Sequence, residues 1–96
     1  MQENFGIKID EKGKTFQPDF IVKYTDGIIG IYDTKPIGDR VEDTKVKAEA
    51  LQSYIKEQKK VVGGIVIFDH GVAKINSKEV YKDFRESAED WNELKI

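Results

Sequence analysis

The chain contains no cysteine, so neither a disulfide framework nor a thiolate metal site is available to it. It also lacks any apolar run long enough to cross a bilayer: the longest, Val61 to Phe68, carries two glycines and is far too short. The first residues show no basic-then-apolar pattern of a signal peptide, and a cytoplasmic protein with no membrane partner is expected. An excess of basic charge is missing too. Sixteen basic residues against 18 acidic ones leave a net charge of −2, whereas a domain that grips nucleic acid unaided is usually basic. A catalytic module delivered to DNA by another domain remains compatible with that charge.

What is present suits one folded unit. At 96 residues, with 39% hydrophobic side chains, the chain can build one modest core over 1–96. Phe5-Gly6-Ile7-Lys8-Ile9-Asp10 alternates as a strand, and Glu11-Lys12-Gly13-Lys14 reads as a turn. A second strand is expected from about Thr15 to Tyr24 and a third from about Ile28 to Lys35, with a hairpin signal at Thr25-Asp26-Gly27 between them. Pro36 to Arg40 is a loop.

From Glu42 to about Lys59 there is neither proline nor glycine, and Val46, Ala50, Leu51, Tyr54 and Ile55 recur at helical spacing. Val61 to Phe68 has the composition of a strand covered on both faces. Asp69-His70-Gly71 is a turn, followed by a short edge strand over 72–75. Ser77 is placed to cap a last helix whose stripe would be Val80, Tyr81, Phe84, Ala88, Trp91 and Leu94. The expected fold is therefore α/β: a small mixed sheet in β-β-β-α-β order, flanked by helices.

The residues able to do chemistry gather around the hairpin. Residues two apart on a strand share a face, so Asp33 and Lys35 point the same way. The place of Asp19 depends on the loop. A three-residue loop, Thr25-Asp26-Gly27, pairs Tyr24 with Ile28 and sets Asp19 opposite Asp33, with Cβ atoms about 5 Å apart. A two-residue Asp26-Gly27 turn slips the register by one and sends the two acids to opposite faces. Opposed carboxylates repel, and one would be driven toward protonation unless a cation sits between them. Mg²⁺ suits such a pair of hard oxygen ligands and keeps waters for a substrate phosphate. A lysine beside it can serve the attacking water or the developing negative charge.

Pro18, Asp19, Asp33 and Lys35 resemble the motif of the PD-(D/E)xK nuclease superfamily. The similarity extends over Phe16 to Val22, the strand ending Asp33-Thr34-Lys35, and the following helix with Lys45, Lys47, Ala48, Glu49, Ala50 and Leu51. Together these look like the endonuclease domain of type III restriction enzymes. That resemblance implies a restriction-endonuclease-like core and hydrolysis of double-stranded DNA. It implies Asp19 and Asp33 as Mg²⁺ ligands (Mn²⁺ substituting), Lys35 as the third catalytic residue, and Lys47 as a phosphate-binding group. It further implies a fragment of a larger restriction subunit. ATP would be used only by a helicase-like motor outside this chain, and a methyltransferase/specificity subunit would supply recognition. Two positions depart from the commoner pattern: Asp33 stands where Glu is frequent, and Pro36 where glycine usually follows the lysine.

Each residue has a plainer reading as well. Asp19 can be a strand-end acid after proline, and Asp33 with Lys35 an ordinary ion pair. Lys47 can be a solvated helix lysine, and Gln52 is expected to be rotated away from the site. Asp69-His70 reads as a turn rather than a general-base pair. Lys56, Lys59 and Lys60 suit a helix end in water. Tyr81, Phe84 and Trp91 read as core. The competing functional reading is a catalytically inactive nuclease-like module for DNA binding or protein assembly.

Overall fold

The computed structural model describes residues 6–8, 14–38 and 40–94. Two short strands, β1 (Ile7–Lys8) and β2 (Thr15–Phe16), pair antiparallel with each other. The turn expected at 11–14 and the outer part of the first strand lie outside the described residues, apart from Lys14. The second expected strand is broken: β2 ends at Phe16, and β3 (Phe20–Lys23) begins after Gln17-Pro18-Asp19. Proline has no N–H to give to a ladder, and here it separates strands that join two different sheets.

The main sheet has five strands in the order β3-β4-β5-β6-β7, with β4 (Ile29–Thr34), β5 (Val61–Asp69), β6 (Val72–Asn76) and β7 (Asn92–Glu93). It is a mixed sheet, because β4 and β5 run parallel while the other neighbours are antiparallel. Parallel neighbours need a crossover, and α1 (Val41–Lys56) supplies it. Thr44, Ala48, Leu51 and Gln52 form the buried face of α1. Val46, expected on that face, is 49% exposed; it lies two residues from both Thr44 and Ala48, on the opposite side of a 3.6-residue turn. β6 is not an edge, since β7 pairs with its far side.

The helix expected after Ser77 is absent among the described residues: only one 3₁₀ turn, Ala88–Asp90, interrupts an irregular segment. The apolar spacing was right for a helix, but side chains elsewhere take the backbone groups a helix would use. Asn76 Oδ1 accepts the Lys78 N–H at 2.9 Å, and its amide donates to the Lys82 carbonyl at 3.3 Å. Asp83 accepts the N–H groups of Gly38 and Arg85, each at 3.1 Å, and Glu49 accepts that of Tyr81 at 2.9 Å. The Trp91 indole donates to the Lys82 carbonyl at 3.1 Å. Tyr81 and Trp91 are nonetheless core, as expected, with Phe84 packed against them.

The sheet is therefore flanked by one helix, not several. On the α1 side, Ala48, Ile65, Ile67, Tyr81 and Trp91 form one buried cluster, and Ile7, Phe16, Ile31 and Leu51 another. No described helix lies over the opposite face, where Phe20 and Phe68 are 56% and 61% exposed. No described helix is long and apolar enough to cross a membrane.

Candidate functional site

The hairpin closes with the odd-length loop. Phe20 pairs with Tyr32, Ile21 with Ile31, Val22 with Gly30 and Lys23 with Ile29. The Tyr24 N–H donates to the Ile28 carbonyl at 2.8 Å, leaving Thr25-Asp26-Gly27 as the loop. Gly27 takes φ +88°, a conformation that costs glycine nothing, and Asp26 Oδ1 accepts the Ile28 N–H at 3.1 Å. One step further along this register, Asp19 stands opposite Asp33.

The two acids are in contact. The Asp19 N–H donates to Asp33 Oδ1 at 3.1 Å. The Asp19 carboxylate turns around the end of β4: its Oδ2 accepts the Thr34 N–H at 3.0 Å and the Thr34 hydroxyl at 2.7 Å. Strand alternation alone would point Thr34 away from Asp33 and Lys35, and nothing in the sequence but its place after Asp33 marks it. β3 begins only at Phe20, so Asp19 lies just beyond the paired residues and its side chain can turn around the end of β4. Burial draws the Asp19 pKa upward, but the Thr34 hydrogen bonds and the Lys35 charge outweigh it and hold the carboxyl below its ordinary value.

Asp33 is only 3% exposed. Its Oδ2 lies 3.2 Å from Lys35 Nζ, an ion pair, yet it has no partner in hydrogen-bond geometry. Burial is the largest influence on this carboxyl and raises its pKa; Lys35 opposes that and the Asp19 charge adds to it. A buried carboxylate oxygen without a hydrogen bond costs free energy, and it is the donor a hard cation takes best. Among the described residues no three His, Cys, Asp or Glu side chains group to hold a metal. Asp19 and Asp33 are the two neighbouring carboxylates that could hold an ion here, with water completing its shell. That donor set fits Mg²⁺.

Lys35 is fixed by its backbone, whose N–H donates to the Val66 carbonyl at 3.0 Å and so continues the β4–β5 ladder. Beyond it opens a polar cleft of about 310 Å³ between the end of β4 and the start of α1, lined by Thr34, Lys35, Arg40, Asp43, Thr44 and Lys47 among others. Lys47 thus stands on the same cleft as Lys35, where the sequence left its direction open. Arg40, which no motif pointed to, lines the cleft too. Gln52 turns away from the acids, as expected; its amide donates to the Gly63 carbonyl at 3.0 Å and ties α1 to β5. His70 lies at a turn with φ +51°, Nδ1 3.1 Å from Asp69 Oδ1, on the loop that joins β5 to β6.

Compared with protein-family models, curated proteins and solved structures, the chain matches none.

Proposed function

We propose that this chain is a metal-dependent DNA endonuclease domain of the type III restriction kind, with a restriction-endonuclease-like core. The observation that carries the reading is the hairpin register, which brings Asp19 against Asp33 and leaves Lys35 3.2 Å from the Asp33 carboxylate. Asp19 and Asp33 would hold Mg²⁺ or Mn²⁺, and the ion when bound supplies a Lewis acid for the scissile phosphate. Lys35 hydrogen-bonds the attacking water and stabilises the charge that grows on the phosphoryl oxygens. The water oxygen bonds to phosphorus, one P–O ester bond breaks, and the departing alkoxide takes up a proton. Lys47 holds substrate phosphate from the helix side of the cleft. ATP-driven movement and sequence recognition belong to a helicase-like motor and a methyltransferase/specificity subunit beyond these residues, in the cytoplasm.

One observation favours a second reading. Asp33 is already paired with Lys35, and Asp19 is tied twice to Thr34, as in a nuclease-like module retained for DNA binding or assembly. Two measurements separate the readings. Mn²⁺ binding should be saturable at millimolar concentration and lost in Asp19→Asn and Asp33→Asn. Plasmid cleavage in Mg²⁺, by the chain or by a parent that contains it, should vanish in Asp33→Asn and Lys35→Ala. Cleavage undiminished in both variants removes the nuclease reading.

A further inference from the structure

The cleft beside the acid pair carries charge of the opposite sign to the chain as a whole. Among the described residues Lys35, Arg40 and Lys47 line it against one carboxylate, Asp43, in a protein of net charge −2. Neither the Arg40 guanidinium nor the Lys47 ammonium has a hydrogen-bond or ion-pair partner among the described residues, although other lysines and an arginine there are paired.

Arg40 also stands in a backbone conformation that resists its side chain. It is the N-cap of α1 at φ 43°, ψ 56°, the left-handed region, and it makes no side-chain cap. Asn, Asp or Ser would cap the helix, and glycine would take the left-handed geometry without strain. Strain of this kind, beside a cleft, is where function is to be sought. The cleft shares Thr34 and Lys35 with the acid pair, so a ligand in it continues directly from whatever the acids hold.

We propose that Arg40 and Lys47 bind the phosphate adjoining the scissile one, so that the substrate is a polynucleotide strand with two consecutive phosphates rather than a small phosphate ester. This rests on the phosphodiesterase reading of Asp19, Asp33 and Lys35. Arg40 supplies a planar fork that matches phosphate oxygens, and Lys47 a point charge across from it. Thr34 and Thr44 offer polar walls between them.

The test is fluorescence anisotropy of a labelled DNA duplex with the whole chain, in EDTA at low salt. Arg40→Gly and Lys47→Ala should each weaken binding about fivefold or more and flatten the salt dependence by roughly one counterion. Lys56→Ala, at the far end of α1, should leave both unchanged. Arg40→Gly should melt no lower than the parent chain, since glycine relieves the left-handed residue; this keeps lost binding distinct from lost fold. Inorganic phosphate at millimolar concentration should not displace the duplex. Unchanged affinity and salt slope in both cleft variants, an equal loss in Lys56→Ala, or displacement by free phosphate would each overturn the proposal. The failure of the nuclease reading shows elsewhere, as unimpaired cleavage in Asp33→Asn with Mg²⁺, and leaves this binding result intact.

Discussion

Asp19 and Thr34 are joined twice, with one carboxylate oxygen taking both the backbone N–H at 3.0 Å and the hydroxyl at 2.7 Å. This fixes the rotamer of an otherwise exposed acid at the end of β4. Thr34→Val keeps the shape and the backbone bond but removes the hydroxyl. The Asp19 pKa should then rise toward the ordinary carboxylate value, and cleavage should fall on the order of tenfold if Asp19 must be held to bind an ion. Thr34→Ser should retain both. NMR titration of the Asp19 carboxyl, with cleavage rates measured in parallel, decides the matter.

Asp33 should behave in the opposite sense. Its folded-state pKa is raised, so the native state binds the proton more tightly than the unfolded chain does. Stability contributed by this residue is therefore greatest at low pH and is lost as pH rises through the raised value. Asp33→Asn should be more stable than the parent near pH 7, by roughly 0.5–1.5 kcal/mol or several degrees in Tm. The gap should close as the pH falls through the raised value, where the parent carboxyl takes up its proton. Melting curves of both proteins across pH 4–8 give the answer, and a gap that is flat with pH rejects the argument. Asp19, whose pKa is lowered, contributes in the other direction: its stabilisation is present above the ordinary carboxylate value and disappears on acidification.

The approach of β4 to β5 leaves no room at Gly63. That residue has φ +147°, and a Cβ there would collide with the Ile31 carbonyl oxygen on the neighbouring strand. Gly63→Ala should cost about 3 kcal/mol or more and abolish folding at 37 °C. Gln52→Ala should be milder, about 1–2 kcal/mol, because it removes only the amide donor to the Gly63 carbonyl. Denaturant titration orders the two.

Local pattern and turn chemistry made the centre of the fold legible. The Asp-Gly at 26–27 made the β3–β4 hairpin readable, whereas the break that Pro18 makes in the strand expected over Thr15 to Tyr24 was not. α1 was readable because nothing in it disfavours a helix. The segment from Ser77 to Trp91 was misread for a definite reason. Its apolar residues recur at helical spacing, but Asn76, Asp83 and, from α1, Glu49 bind its N–H and carbonyl groups. Glu49 is distant in sequence and leaves no trace in the segment, while Asn76 and Asp83 are local side chains that compete with a helix for its backbone groups. At the site, Asp19, Asp33 and Lys35 were readable as residue types in a pattern. Thr34 and Arg40 were not, because the role of the first depends on where a strand ends and that of the second on the mouth of a cleft.

Trp91 tests the packing that replaces the missing helix. Its ring meets Tyr81 edge-on at 5.8 Å between centroids and Phe84 at 6.2 Å, and its indole N–H holds the Lys82 carbonyl. Trp91→Phe should cost roughly 1 kcal/mol, because the Lys82 carbonyl keeps the Asn76 amide as a donor, and Trp91→Ala about 3–5 kcal/mol. Both should leave the Asp19–Asp33 register unchanged, since the hairpin is built from β3 and β4 alone. Chemical denaturation supplies the energies, and amide exchange at Tyr24, whose N–H bonds the Ile28 carbonyl, reports the register.

The loop Thr25-Asp26-Gly27 sets a rule for how this chain can change length. It is exposed and touches neither core cluster, so by position it is a place where insertions ought to be harmless. Pairing has a parity, however, and adding or deleting one residue exchanges the two faces of β3. The acid now beside Asp33 would then look into the face that carries Tyr32. Variants with one residue more or less in the loop should separate folding from metal binding, while those that differ by two should recover both. Loop length, rather than loop sequence, is the coordinate along which this site can be switched off and on.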